Sequence, residues 1–265
     1  MKLVMKYNIY LSTHSGKVRR NNEDNFCIND VVRGMDQEEV NLRGFDISGP
    51  IVCSVFDGMG GEANGEIASK ICADEAVSLY VKRIKTGELF DEDIDAYVKT
   101  ANDRIVEVIA NNKAKRGGST FAMVYIDEAR VKVYSLGDSR VYIFNDSEML
   151  AVTKDHTLAM KKYEANIYTK EEAENSPDSH KLTAFVGVDT DNQGIKAERY
   201  NSIDLRKGDK ILICSDGLYD MCNEATIAKV LSKNSNTVSF DLVETALENG
   251  GVDNITCLVI ETSDN

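Results

Sequence analysis

Proline is nearly absent from this chain, with 2 residues in 265. No tract is biased toward Ser, Gln or Gly, so nothing reads as a linker, and no internal repeat is found. One domain spanning residues 1–265, with ample core, is the expectation. No stretch approaches the ~20 apolar residues of a membrane span. The N-terminus, MKLVMKYNIY, has a lysine but no sustained apolar run, which excludes a signal peptide. A cytoplasmic protein without a membrane partner follows as the expectation. Histidine is scarce, at 3 residues, and no CxxC pair occurs, so a structural zinc site is not expected. The 6 cysteines then read as reduced thiols. Cys53, Cys214 and Cys257 sit inside apolar runs and read as core.

Basic clusters are also missing. Lys and Arg number 31 against 44 Asp and Glu, for a net charge of −13. That balance argues against a nucleic-acid partner, whose phosphates require grouped Lys and Arg. Acidity of this size serves solubility, or it comes from aspartates that neutralise bound cations, and both can hold.

What the chain does have is a set of apolar strands that meet aspartates. Ile51 to Phe56 is a run of strand formers that stops at Asp57, followed by Gly58, Met59, Gly60 and Gly61. Glycines there let the backbone turn sharply and approach a ligand. A carboxylate at the end of a buried strand, beside an exposed carbonyl, suits a hard divalent cation. For an isolated Asp-Gly pair, a simple turn is the competing reading. The run Lys210 to Ser215 ends in the same way at Asp216-Gly217, and Asp253 precedes the last strand, ITCLVI. Asp138 forms a fourth acidic turn. If these strands share a sheet face, the carboxylates converge, and carboxylates that close repel one another unless cations lie between them.

The rest of the chain supplies strands and covering helices. Residues 7–13 and Phe26 to Ile28 read as strands, and residues 29–48 as a polar hairpin or loop. Helical spacing runs from Glu66 to Ile84 and again over 91–112. Residues 121–145 read as a half-buried antiparallel meander, with a further short strand at Leu150 to Val152. Residues 157–181 are polar and helix-tending, and read as a mobile surface element. Leu182 to Val188 and 196–205 read as sheet, with short helices near 224–231 and 238–248. The Asn145-Asp146-Ser147 and Asn254-Ile255-Thr256 triplets fit the glycosylation pattern, which carries no meaning without secretion.

In order, the chain carries GKVRRNNEDN, VFDGMGG, GGSTF, LGDSRVY, TKDH, LICSDGLYD and GGVDNIT. On these motifs it resembles the metal-dependent protein serine/threonine phosphatases of type 2C, in their bacterial branch. The resemblance covers nearly the whole chain. It implies an α+β fold of four layers, α-β-β-α, with two central antiparallel sheets flanked by helices. It also implies two bridged Mn²⁺ or Mg²⁺ ions and a possible third. On the matching positions Asp57 would bridge both ions, and the Gly58 carbonyl would hold the second. Asp216 and Asp253 would hold the first. Glu23 and Asp24 would order bound water, or one of them ligates directly. Asp138, with Asp216, would bind the third ion. Arg19 would grip the substrate phosphate, since the family's spacing to the position of Asp24 selects it over Arg20.

The implied reaction is hydrolysis of phosphoserine and phosphothreonine, by in-line attack of a water or hydroxide bridging the two ions. The implied partners are phosphoprotein substrates and an opposing Ser/Thr kinase, with the chain acting as a monomer. Where some relatives carry a histidine, this chain has Met59, which cannot donate a proton to the leaving group. Ser119, Thr120, Ser139 and Arg140 read as structural hydrogen-bonders, His156 as a packing residue, and His14 and His180 carry no argument. The 157–181 segment corresponds to the flap of the bacterial branch, with Glu164-Ala165-Asn166 in place of the usual glycine-containing turn. The chain ends a few residues after its last strand, so no receptor, anchor or regulatory tail is expected. A binding module without activity and a hydrolase of small phosphoesters are the alternative readings.

Overall fold

The computed structural model describes residues 6–47, 49–60, 64–82, 87–112, 117–145, 148–188, 194–233 and 235–263. Two antiparallel sheets carry the molecule. The first has six strands in the order β11 (Glu148–Ala151), β10 (Arg140–Asn145), β14 (Lys210–Cys214), β15 (Ile255–Ser263), β1 (Lys6–His14) and β4 (Val40–Ile47). The second has seven strands. Its main path is β12 (Glu198–Arg199), β9 (Arg130–Leu136), β8 (Phe121–Asp127), β5 (Ile51–Phe56), β2 (Asn25–Ile28) and β3 (Val31–Val32), and β13 (Ile203–Asp204) also pairs with β9. A small ribbon joins β6 (Gly58–Met59) to β7 (Gly118–Ser119).

Strand side chains alternate, and here both faces are covered. In β14, Ile211 and Ile213 enter the core between the sheets, while Leu212 and Cys214 point into the layer under the helices. This is why KILIC and IVCSVF read as unbroken apolar runs rather than as alternating ones. The inter-sheet core joins Ile9, Leu11, Val141 and Leu258 of one sheet to Phe26, Val55, Val124 and Val133 of the other. Truncating Ile213 to alanine in such a site costs about 2–5 kcal/mol.

Helices close both outer faces. Those of α1 (Asn64–Lys82) and α2 (Asp91–Asn111) bury Ala68, Cys72, Ala76, Ile94, Val98 and Ala101 on the seven-stranded sheet. On the other face α5 (Asp216–Tyr219), α6 (Glu224–Leu231) and α7 (Val238–Glu248) bury Leu218, Ile227, Leu242 and Ala246. The four layers match the fold expected from the resemblance.

Several expectations are corrected. Residues 121–145 are not one meander. β8 pairs with β9, but β10 pairs with β11 and β14 in the other sheet. The chain changes sheet at Gly137, whose φ of +108° is open to glycine and strained for other residues. Nor are these strands half-buried, because each sheet is sandwiched. Of residues 29–48, read as a hairpin or loop, Val31–Val32 does turn back on β2, but 40–47 form an edge strand against β1, with Leu42 opposite Leu11. Leu182 to Val188 makes only the isolated bridges Thr157–Leu182 and Ser119–Val186. Residues 196–205 form two short strands rather than one. The first covering helix ends at Lys82, and Ile84 lies outside the described residues.

The polar 157–181 segment folds into α3 (Leu158–Glu164) and α4 (Lys170–Asn175). Local chemistry makes these helices, not core burial. Thr157 caps the first by accepting from the Met160 N–H at 3.2 Å. Thr169 and Glu172 form a capping box on the second, at 3.2 and 2.7 Å. Only Ala159 and Ala173 of the two helices are buried.

Candidate active site

The aspartates come from different sheets. Asp57 leaves the seven-stranded sheet, while Asp216 follows β14 and Asp253 precedes β15 in the six-stranded one. A shared sheet face is therefore not what unites them; they meet at one end of the sandwich. A cavity of about 1410 Å³ opens there, and Arg19, Glu23, Asp57, Gly58, Asp138, Asp216 and Asp253 all line it.

Backbone contacts set each position. The Asp57 N–H donates to Thr120 Oγ1 at 3.1 Å, and its carbonyl accepts from the Thr120 N–H at 2.9 Å. Thr120 Oγ1 in turn lies 2.6 Å from Ser139 Oγ, beside Asp138. Gly58 is pressed between two chain segments. A Cβ there would come within 2.2 Å of the Gly65 carbonyl and 2.4 Å of the Glu23 carbonyl, so only glycine fits. Gly61 lies outside the described residues. Asn254 is a further fastener: its side chain accepts from the Glu23 N–H at 2.8 Å and donates to the Ser15 and Asn21 carbonyls, each at 2.9 Å.

Glu23 and its neighbour Asp24 part company. Glu23 lines the cavity, whereas Asp24 is 1% exposed and lies behind it. Asp24 Oδ2 accepts from Ser215 Oγ and Thr256 Oγ1, both at 2.7 Å. It thereby joins the ends of β14 and β15 next to Asp216 and Asp253. Burial pushes the Asp24 carboxyl up to about 7, against the pull of those two hydroxyls.

Electrostatics distinguish the cleft from an ordinary acidic surface. Burial raises the Asp57 carboxyl well above its usual range, and Asp216, Asp24, Asp138 and Asp253 push it further. Asp216 is raised in the same way by burial and then by Asp138, Asp220, Asp253 and Asp24. Asp138 is pushed up to about 7 by burial and by Asp155. Burial also raises Glu23. Arg19 Nη2 donates to Asp253 Oδ2 at 2.6 Å. Among the described residues, Asp57, Asp138 and Asp216 make no ion pair with a protein cation. An all-oxygen set whose like charge is only partly relieved fits a hard divalent cation such as Mn²⁺ or Mg²⁺.

The cleft also holds His180 and Asp220, to which the sequence reading gave no site role. His180 Nδ1 lies 3.6 Å from Asp220 Oδ2, and ligand atoms of His180, Asp216 and Asp220 fall within 4.8 Å of one another. The i, i+4 spacing of Asp216 and Asp220 was a usable signal, because a helical turn puts such a pair on one face. Nothing local marked His180, which arrives from the far end of the 157–181 segment.

A sequence profile described as Protein phosphatase 2C matches residues 44–249. The chain belongs to the protein phosphatase 2C family. The serine/threonine phosphatase stp of Listeria innocua is 30% identical over 258 residues, covering 94% of this chain and 93% of its own. The serine/threonine protein phosphatase PstP of Mycobacterium tuberculosis is 29% identical over 99% of this chain, which spans 46% of that relative's length. Among solved structures, the S. agalactiae serine/threonine phosphatase superposes with a TM-score of 0.82 at 26% identity, covering 97% of this chain and 100% of that one. The catalytic domain of PstP, solved in complex with 2 manganese ions, superposes at 0.78 with 25% identity, covering 98% and 100%. The manganese in that protein agrees with the donor set of this type 2C cleft.

Proposed function

We propose that this chain is a metal-dependent protein serine/threonine phosphatase that acts as a cytoplasmic monomer against a Ser/Thr kinase. One observation carries the reading: carboxylates from both sheets converge, without protein cations to relieve most of them, in a cleft that also presents Arg19. Among the described residues no helix is long and apolar enough to cross a membrane.

Asp57, the Gly58 carbonyl, Asp216 and Asp253 would hold the paired ions, with Glu23 beside them and Asp138 and Asp216 serving a third. Bound Mn²⁺ or Mg²⁺ would supply an acidified water and stabilise charge on the phosphoryl oxygens. Arg19 orients the phosphate, because its planar fork matches two phosphate oxygens. Asp24 works from behind, keeping Ser215 and Thr256 in line so that Asp216 and Asp253 face each other. The Met59 thioether has no proton to give, so the leaving serine or threonine takes its proton from another group.

The 157–181 segment would gate the cleft, since Glu174, His180 and Lys181 line the cavity. Deleting residues 160–178 should change phosphopeptide kinetics; unaltered KM and kcat would remove the gating role.

The deciding experiment is hydrolysis of a phosphothreonine peptide with Mn²⁺, with EDTA, and by Asp216→Asn. Turnover that needs Mn²⁺ and is lost in the variant is expected. A folded protein inert at every metal level would make this chain a binding module. Faster turnover of nucleotide or sugar phosphates than of phosphopeptides would assign it to small phosphoesters.

A further inference from the structure

The TKDH motif plays no part in the proposed chemistry, and neither Asp155 nor His156 lines the cavity. Both nevertheless converge on the turn that carries Asp138. The Gly137 N–H donates to His156 Nδ1 at 2.9 Å, and the His156 N–H donates to the Gly137 carbonyl at 2.9 Å. With Nδ1 accepting, the ring proton sits on Nε2, which faces Glu198 Oε2 at 2.8 Å. The imidazole is thus locked in one tautomer, with its acceptor aimed at the residue before Asp138.

Asp155 reaches the same turn through Arg140, the residue that follows it. It accepts from Arg140 Nε and Nη2 at 2.9 and 2.6 Å. The Arg140 guanidinium lies 3.6 Å from the centre of the Tyr219 ring, and Tyr219 OH donates to the Asp138 carbonyl at 3.0 Å. Tyr219 belongs to α5, which begins at Asp216. The relay therefore connects Asp138 to the helix that bears Asp216. The dipeptide is also the base of the 157–181 segment. The Thr183 N–H donates to the His156 carbonyl at 2.7 Å, and Thr157 bridges Leu182, so both ends of that segment start from it.

We propose that Asp155 and His156 are positioning residues: they clamp the Gly137–Ser139 turn so that the Asp138 carboxylate stays registered with Asp216, and they couple that register to the base of the 157–181 segment. The inference rests on the metal role proposed for Asp138. Residues that orient a ligand from behind typically change metal affinity by about 10–100-fold when replaced.

The test separates the two ring nitrogens. His156→Asn keeps an acceptor near the Nδ1 position, and His156→Gln keeps only a group near Nε2. The readouts are amide hydrogen exchange at Gly137, by NMR, and Mn²⁺ binding to the full chain, by the EPR signal of free Mn²⁺. Asp138→Asn and Tyr219→Phe are measured alongside. Expected are slow Gly137 exchange and near-native Mn²⁺ binding in His156→Asn. In His156→Gln, exchange should be faster and the weakest Mn²⁺ component about 10-fold weaker. Tyr219→Phe should lower the same component by a smaller factor. Equal behaviour of the Asn and Gln variants would overturn the clamp, since the ring would then only fill space. Weaker Mn²⁺ binding in Asp138→Asn but in neither His156→Gln nor Tyr219→Phe would overturn it as well. Faster Gly137 exchange with Mn²⁺ binding unchanged in every variant, Asp138→Asn included, would instead remove the metal role of Asp138.

Discussion

Asp57 and Asp216 in the cleft, and Asp178 at the end of the 157–181 segment, carry the same carboxylate in opposite surroundings. Burial and neighbouring acids raise the first two far above the usual carboxylate range. Asp178 accepts from Lys162 Nζ at 2.5 Å and Lys181 Nζ at 2.7 Å, and these bonds lower it to about 2. The segment balances its own charges, as Lys170 with Glu174 at 3.6 Å shows again. The cleft does not. A region whose acids are already paired needs nothing from outside. A region whose acids repel one another stores free energy that a bound cation releases, and this is what separates a metal centre from an acidic surface.

Breaking the cleft should have the largest effect. Asp216→Asn is expected to cut Mn²⁺-dependent phosphopeptide hydrolysis by more than about 100-fold, beyond the usual loss for residues that only support a ligand. In EDTA the same variant should melt higher than the parent, by about 2–4 °C if relief of repulsion is worth ~1 kcal/mol. A lower melting temperature in EDTA would show that the cleft acids are not in conflict.

The next effect is on pH. The cleft acids hold their protons more tightly folded than unfolded, where an aspartate titrates near ~3.9. Between that value and about 7, where Asp24 and Asp138 titrate, the folded state carries more protons. Metal-free stability therefore falls as pH rises through this window. Asp178 has the reverse sign: its contribution is complete above ~3.9 and is lost as pH falls toward about 2. Melting scans in EDTA from acid to neutral pH should show the fall, and saturating Mn²⁺ should flatten it. A flat profile in EDTA would contradict the cleft's charge conflict.

Arg19 tests the cation that, among the described residues, pairs with a candidate ligand. Losing a charge-assisted hydrogen bond of ~1.5–3 kcal/mol predicts a phosphopeptide KM about 10–100-fold higher in Arg19→Ala. Lysine should restore little of it, because an ammonium cannot reproduce the fork. An unchanged KM would assign phosphate binding elsewhere, with Arg20 the next residue to test. Asp178→Asn should have the smallest effect. It is expected to leave hydrolysis nearly unchanged, because Asp178 does not line the cavity, while amides of residues 158–175 exchange faster. A large loss of activity would mean that the segment's internal pairing serves the cleft directly.

The strands that deliver the site were legible because each is buried on both faces, so that KILIC and IVCSVF stand out as apolar blocks ended by Asp216 and Asp57. Helices α6 and α7 matched their expected spans for the related reason that their apolar spacing is unambiguous. Burial on both faces also removes the alternation that would say which sheet a strand joins. That is why residues 121–145 read as one meander although β9 and β10 belong to different sheets. Charge told Glu23 and Asp24 apart no better: adjacent acids in one polar stretch look alike until Asn254 fixes one at the cavity and Ser215 and Thr256 enclose the other.

From the sequence alone came the ordered motifs, the family they resemble and the aspartates at strand ends, because those depend on residue type and local spacing. Tertiary structure alone decided that the aspartates meet from two sheets, that Asp24 lies behind the cleft and that His180 and Asp220 join it. It also decided that TKDH faces the Asp138 turn. These depend on which distant segments pack together, and that is set by the summed burial of both faces of both sheets rather than by any one stretch of chain.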